Sequence, residues 1–405
     1  MLKAGGTGAL GVIRSLGRFG VSIHCVEIGK SIPGVRSRYC ASKLCWDLEN
    51  APAEESLEFL ASVARVLDPK PLLFPTDYTS TLFIAENYAA LREHFVLTAI
   101  SQDTIELLGN KQRMYTACIE HGIATAETMI PRSRQEVATF ASSATFPIVL
   151  KPIDPSVPLR NPSERVVIVR GREELLNAYD RMSGTEVLLQ EYIPGNDETQ
   201  WMFNGYFNEQ SECLFGTTGK KLRQFPAYKG VTSLGICIHN EAVEEITKSL
   251  MKSVGYRGIL DIGYRYDARD GKYKLLDVNP RIGATSRLFV ASNGMDVARA
   301  WYLDLTDQTV PLSPVKEGRK WMAEDKDLLS SLRYFRDGKL TGLEWFKSFR
   351  GLEEFAYCSF SDPAPAMQRA WNLLTQSFRE EHPGRSTAKN GSSAKHKPLL
   401  GQRIA

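Results

Sequence analysis

Hydrophobic positions recur with two periods along this chain, and the changes of period divide it into four stretches. In residues 1–100, short β-rich runs alternate with helical patterns. Val21-Ser22-Ile23-His24-Cys25-Val26 alternates like a strand, Glu54 to Val66 has helical spacing, and Leu72-Leu73-Phe74 reads as a strand before Pro75. Gly5-Gly6-Thr7-Gly8 opens a helical segment, Ile13 to Phe19, that Gly20 ends. Strand and helix alternating at this pace predict a parallel, doubly wound sheet, with its first strand clipped to Met1–Ala4. Residues 101–185 open with Ser101 as a helix N-cap. A helix from about Asn110 to Glu120 stops at Gly122, strands follow at Phe146–Leu150 and Arg165–Val169, and Glu173–Met182 is helical.

Residues 186–310 are strand-rich. Glu186 to Ile193 ends at Pro194-Gly195, Gly230–His239 is a further strand, and Glu241–Val254 is an amphipathic helix closed by Gly255. Ile259–Tyr266 and Lys272–Val278 flank Asp267-Ala268-Arg269-Asp270-Gly271, whose Asp-Gly predicts a hairpin. Residues 311–380 read as mainly helical. From His382 onward there are five Lys or Arg and no acid, which predicts a disordered tail.

Composition narrows the class. With 405 residues and 43% hydrophobic content the chain can build two or three cores. Fifty basic against 47 acidic residues leave +3, which gives no electrostatic case for nucleic acid or an anionic membrane. No apolar run approaches the roughly 18–20 residues of a membrane span, and no basic-then-apolar leader opens the sequence. Seven scattered cysteines without a CxxC pair read as reduced thiols. Six histidines without ligand spacing argue against a zinc hydrolase. The expectation is a soluble, cytoplasmic, multidomain α/β protein.

Two motifs compete for the chemistry. Gly6-Thr7-Gly8-Ala9-Leu10-Gly11 fits GxGxxG between a strand and a helix, and Glu27 ends the next strand where a ribose-binding acid would stand. That reading gives a nicotinamide-dependent oxidoreductase. No Tyr-x-x-x-Lys or His/Asp hydride-transfer set accompanies it.

The second motif is Lys274-Leu275-Leu276-Asp277-Val278-Asn279-Pro280-Arg281. Residues i and i+2 of a strand share a face, so Asp277 and Asn279 project together as hard oxygen ligands suited to Mg²⁺. Arg281, just past the strand, can hold a phosphate or carboxylate. Upstream, Gln190-Glu191-Tyr192-Ile193 runs from a strand into an extended hinge whose backbone can face adenine. Asp197 and Glu198 are alternative acids for the ribose. Lys151 closes an apolar strand, a position that fits phosphate neutralisation. Lys111 stands in a first helical turn, the end that favours anions, so an anion is expected to face it.

The order Lys111, Lys151, Gln190-Glu191-Tyr192-Ile193, Asp277-Val278-Asn279-Pro280-Arg281 resembles the ATP-grasp superfamily. Gly6–Gly11, Leu16-Gly17-Arg18-Phe19-Gly20, Ser37-Arg38-Tyr39, Phe74-Pro75-Thr76-Asp77 and Gly230-Val231-Thr232-Ser233-Leu234-Gly235 are similar to its carbamoyl-phosphate-synthetase-like and D-aspartate-ligase-like branch. The resemblance implies an α/β and α+β fold. A Rossmann-like pre-ATP-grasp domain (1–100) would precede a two-subdomain ATP-grasp domain (101–310, with a smaller nucleotide-covering subdomain at about 146–193). A helical C-terminal extension (311–380) and the tail (381–405) would follow. It implies ATP and Mg²⁺, with Mn²⁺ as a substitute. It also implies a carboxylate activated as an acyl phosphate and captured by an amine.

Two departures stand out. The stretch after Lys151, Asp154-Pro155-Ser156-Val157-Pro158-Leu159-Arg160, lacks the family's glycine-rich flap, so Arg160 is a candidate for phosphate cover. A second metal carboxylate of the family matches Gly263, and Asp261, two residues earlier on the same face, is the candidate to replace it. Arg265 on that face is a phosphate candidate. The basic run Lys220, Lys221, Arg223 is expected near the transferring phosphoryl group, with Lys221, Arg223 and Arg281 as the catalytic cations. Asp77, at a strand's C-terminal end, is the candidate for a substrate ammonium. Expected partners are a small carboxylate and an amine, with neither nucleic acid nor membrane. A homodimer stays open, as does an ATP-binding module without catalysis.

Overall fold

The structure, a computed structural model, describes residues 1–29, 31–153 and 166–381, with side chains to Thr375. Asp154–Arg160, Arg165 and the basic tail from His382, on which readings were made above, lie outside the described residues.

The N-terminal region is built as its pattern predicts. Helix α1 (Gly6–Arg18) begins at the glycine turn itself, seven residues earlier than the spacing from Ile13 suggested. Strands β1 (Ile23–Val26) and β2 (Cys40–Leu44) pair in parallel, and α2 (Ala53–Ala64), α3 (Tyr78–Glu86) and α4 (Tyr88–His94) cover them. Leu2 bridges in parallel to both Val26 and Pro75, and Leu72 to Val96. The clipped first strand is therefore a two-sided central position in a doubly wound layer.

Helices α5 (Gln102–Gly109) and α6 (Lys111–Glu120) lead to a four-stranded antiparallel sheet, ordered β3-β6-β4-β5. It comprises β3 (Thr128–Met129), β4 (Ile148–Pro152), β5 (Val167–Val169) and β6 (Val187–Glu191). Helices α7 (Arg134–Ser143) and α8 (Arg172–Arg181) pack on it around a core of Val137, Ile148, Leu150, Leu175 and Leu189.

The larger sheet is ordered β11-β10-β7-β8-β9-β12-β13. Its strands are β7 (Gln200–Phe207), β8 (Cys213–Phe225), β9 (Val231–Cys237), β10 (Gly258–Asp267), β11 (Lys272–Asn279), β12 (Lys320–Met322) and β13 (Leu352–Phe355), with α9 (Glu241–Ser253) and α10 (Val297–Leu305) against it. Residues beyond 311 supply α11 (Glu324–Arg336), α12 (Gly342–Ser348) and α13 (Ala364–Glu381). They also add β12 and β13 to the sheet's far edge, which the helical reading of this stretch did not anticipate. These three- and four-residue strands are too short to show a period.

The N-terminal layer and the large sheet share one core. Val12, Ile13 and Phe74 pack with Tyr206, Ile259 and Trp301. Arg14 of α1 is fully buried and donates to the Asp362 carboxylate at 3.0 Å and to the Tyr357 carbonyl at 2.5 Å, tying the C-terminal segment to the first helix.

Candidate active site

The hairpin β10–β11 carries the acidic end of the site. Its ladder sets Asp261 opposite Asn279 and Gly263 opposite Asp277. The Asp261 carboxylate accepts from Asn204 Nδ2 at 2.8 Å and from Asn279 Nδ2 at 3.4 Å, and Asn279 Nδ2 also reaches Asp277 at 3.3 Å. Arg281 donates to Asn279 Oδ1 at 3.1 Å and to the Ile282 carbonyl at 2.9 Å. Burial raises the Asp261 pKa, against the opposing charge of Arg281. Gly283 gives Asp261 its room: a Cβ there would stand 2.6 Å from the Asp261 Cγ. A Cβ at Gly263 would meet nothing within 4 Å, so the space before Asp277 is open.

Lysines converge on these carboxylates from three other elements. Lys111 is the first residue of α6, whose N-cap Asn110 accepts from the Gln112 and Arg113 amides. Its Nζ lies 3.6 Å from the Asp277 carboxylate. Lys151 on β4 donates to Gln190 Oε1 at 3.0 Å, and Gln190 donates on to Thr128 at 2.9 Å. Burial and the neighbouring Lys111 charge push the Lys151 pKa down to about 7, with Asp277 opposing. Lys221 on β8 has its pKa lowered by burial, opposed by the charges of Asp261, Asp277 and Asp197. A cationic rim thus faces an acidic hairpin at the seam between the two sheets.

A hard divalent cation fits the donor set. Asp261, Asp277 and Asn279 offer oxygen, and Asn204 Oδ1 is a buried oxygen without a hydrogen-bond partner. Among the described residues no three His, Cys, Asp or Glu cluster as a metal site, so amide oxygens would have to complete it. Asn204 was not singled out from the sequence. Its signal was a lone amide within the apolar run Trp201-Met202-Phe203-Asn204-Gly205-Tyr206-Phe207, where it pairs across the ladder with Asp261.

At the hinge, the Glu191 amide donates to the Glu127 carbonyl and the Tyr192 amide to the Pro147 carbonyl. The Ile193 amide has no partner among the described residues. The Glu191 carboxylate points elsewhere, pairing with Arg269 and, at 3.3 Å, with Lys274, so the side chain does not face the hinge. Arg265 lies over the Tyr192 ring at 5.5 Å, and its Nε is buried without a partner.

Several candidates are spent elsewhere. Arg223 is buried in a bidentate pair with Asp327, at 2.9 and 2.7 Å, and does not join the site. The cause is a bulge: Lys221 pairs with Gly235 and Arg223 with Leu234, so two residues of β8 oppose one of β9 and Arg223 turns to the other face. Lys220 lies over the Trp201 ring at 4.5 Å. Asp197 is buried and accepts from Gln224 at 2.5 Å and from Tyr334, whereas Glu198 is exposed. This leaves Glu198 as the ribose candidate. Asp77 caps α3, accepting from the Ser80 amide at 2.8 Å, and pairs with Lys3 at 2.8 Å, so a substrate ammonium would have to displace Lys3.

The glycine motif also has an internal explanation. A Cβ on Gly8 would stand 2.7 Å from the Gly283 carbonyl oxygen, and one on Gly11 would stand 2.9 Å from Arg287. Thr7 donates to the Ala284 carbonyl at 3.0 Å. Glu27 accepts from the Ala4 amide at 3.0 Å and the Gly29 amide at 3.2 Å. The glycines let α1 press against the chain that leaves the β10–β11 hairpin, and Glu27 ties off the turn.

This architecture is the ATP-grasp fold. No protein-family model matches the chain. The chain is a homologue of the D-aspartate ligase of Enterococcus faecium (strain Aus0004), 27% identical over 274 residues that span 63% of this chain and 64% of that protein. Similar solved structures include N5-carboxyaminoimidazole synthetase from Staphylococcus aureus complexed with ADP (TM-score 0.60, 10% identity, 79% of each chain). They also include the L-amino acid ligase from Bacillus licheniformis (TM-score 0.55, 15% identity, 79% of this chain and 77% of that one). A third is the biotin carboxylase domain of Hydrogenobacter thermophilus 2-oxoglutarate carboxylase with MgADP (TM-score 0.56, 17% identity, 79% and 72%).

Proposed function

We propose that this chain is an ATP- and Mg²⁺-dependent ligase that joins a carboxylate to an amine through an acyl phosphate, releasing ADP and phosphate. The observation that carries the reading is the meeting of Lys111, Lys151 and Lys221 with Asp261, Asp277 and Arg281. These residues come from separate segments spread over 171 positions of sequence and both sheets. Half-buried cations gathered at an acidic hairpin suit a polyphosphate carrying a divalent metal.

In this reading the Ile193 amide and the neighbouring hinge backbone hold adenine, and Glu198 the ribose. Lys111 and Lys151 neutralise the polyphosphate. Asp261, Asp277, Asn279 and Asn204 would hold magnesium, which supplies charge neutralisation at the phosphate oxygens. A substrate carboxylate oxygen attacks the γ-phosphorus, giving an acyl phosphate and ADP. Lys221 and Arg281 offset the charge on the transferring group. An amine then attacks the acyl carbon, phosphate leaves with the C–O bonding pair, and the amine proton passes to solvent. Arg281 also stands on the wall of a small pocket of about 40 Å³ between the N-terminal layer and the large sheet, lined by Phe74, Pro75, Thr98, Arg257 and Trp301, which would have to widen to admit a carboxylate.

D-aspartate, the substrate in the homologue's name, heads the candidates. The test is ADP release from Mg-ATP with crossed panels of amino acids and small carboxylates, with hydroxylamine to trap the acyl phosphate as a hydroxamate. ADP and hydroxamate appearing together with one carboxylate support the ligase. AMP as the product, or NADH binding without ATP binding, would overturn it.

A further inference from the structure

The β10–β11 hairpin carries two sets of charges on one face. On β10, Asp261, Gly263, Arg265 and Asp267 follow at intervals of two, the period of a strand face. On β11, Asp277 stands three residues after Lys274, a spacing that sends side chains of a regular strand to opposite faces. The ladder shifts here: Gly263 pairs with Asp277 and Arg265 with Lys274, so three steps on β11 oppose two on β10. This bulge returns Lys274 to the face that carries Asp277. One end of the face holds the candidate magnesium ligands, and the other holds Arg265, Asp267 and Lys274.

That second end grips the chain passing between the two sheets. Glu191 ends β6 and opens the hinge towards Gly195. Its carboxylate pairs with Arg269 of the hairpin turn and with Lys274 at 3.3 Å. Both cations also hold Asp267, each at 2.8 Å. Arg265 donates to the Gly195 carbonyl at 2.6 Å. The incoming chain is tied to the same hairpin. The Leu275 amide donates to the Ala124 carbonyl at 2.8 Å, and Thr125 Oγ1 donates to the Leu275 carbonyl at 2.9 Å. An exposed ion pair would contribute little. Here the side chains of Asp267, Lys274 and Glu191 are only 1, 11 and 16% exposed, so removing one charge leaves its partners poorly hydrated and unpaired.

We infer that Arg269 and Lys274 are positioning residues for the nucleotide: by holding Glu191 they fix the hinge and, through β6, the sheet that brings Lys151 to the polyphosphate. The lever is short. Gln190, beside Glu191, accepts from Lys151 at 3.0 Å, and Leu188 of β6 pairs with Lys151 across the ladder. The hairpin thereby joins the residues facing magnesium to the hinge facing adenine. The role rests on the ATP site proposed above.

Amide hydrogen exchange of the free full chain and ATP calorimetry test it together. In Arg269→Ala, exchange at the Glu191 and Tyr192 amides should quicken at least about tenfold, with the Phe203 and Leu260 amides of the large sheet unchanged. The Kd for ATP should rise at least about tenfold, and Arg269→Lys should recover most of that loss. Lys274→Met should act in the same direction. Glu191→Gln/Arg269→Ala should be no weaker than Arg269→Ala alone, because both changes break one contact. Unchanged exchange at the hinge, exchange quickened equally in hinge and core, or unchanged ATP affinity beside a loosened hinge overturns the positioning role and leaves the ATP reading standing. A parent chain that binds no ATP overturns both.

Discussion

The hairpin at Asp277 and the glycine turn at Gly6 are the two segments whose sequence most strongly suggests a ligand, and they differ in what satisfies their polar groups. At the turn, Glu27 is occupied by the Ala4 and Gly29 amides and the glycines by the backbone of residues 283–287. At the hairpin, Asn204 Oδ1 and Arg265 Nε are buried without partners, and cations from distant segments press against carboxylates. A motif that closes on its own chain is architecture; one left with buried, unsatisfied groups beside gathered charges is the candidate site.

The sharpest break of that contrast is Asp277→Asn, which should lower Mg-dependent ADP release by at least about 100-fold with the fold unchanged by circular dichroism. Near-normal turnover would remove Asp277 from the site. Next, Lys151→Ala should weaken ATP by about 10- to 100-fold and AMP by much less, read by calorimetry. Equal losses would mark Lys151 as structural.

The same lysine sets a pH signature. Its pKa falls to about 7 in the folded chain, below its usual range, so above that pH ATP must draw a proton onto it. ATP affinity should fall as pH rises past 7, by up to about tenfold per unit, with proton uptake that Lys151→Met abolishes. The free protein behaves in the opposite sense. Between about pH 7 and the ordinary lysine pKa the unfolded chain binds more protons, so this group makes stability rise with pH.

Gly8→Ala places a methyl against the Gly283 carbonyl and should cost about 1–3 kcal/mol in urea unfolding. Unchanged stability would reopen a ligand role for the turn. The smallest functional effect belongs to Glu27→Ala. Nucleotide affinity should stay within about twofold, with roughly 1.5–3 kcal/mol of stability lost as two amides lose a charged acceptor. A large loss of affinity would make the turn part of the site.

Much of the candidate site was legible because it obeys local periods. Asp277 and Asn279 share a strand face, Lys111 follows its N-cap, and Lys151 ends an apolar strand. Readings failed where a single irregularity reversed a face. One extra residue in β8 separates Lys221, which meets the site, from Arg223, which is buried against Asp327. Asp197 and Glu198 are adjacent and chemically alike, and only the packing of Gln224 and Tyr334 tells them apart.

The sequence by itself determined many of the elements and their order, though not β7, β8, β12 and β13, and the candidates for phosphate and metal chemistry, because periodicity, capping and turn residues act over a few positions. The tertiary structure decided which of those residues face one another. It pressed Gly8 against Gly283, gave Asp261 the space beside Gly283 and turned Arg223 away. Each of these depends on contacts between segments tens to hundreds of residues apart, where burial and pairing are settled by the whole packed chain and no local pattern records them.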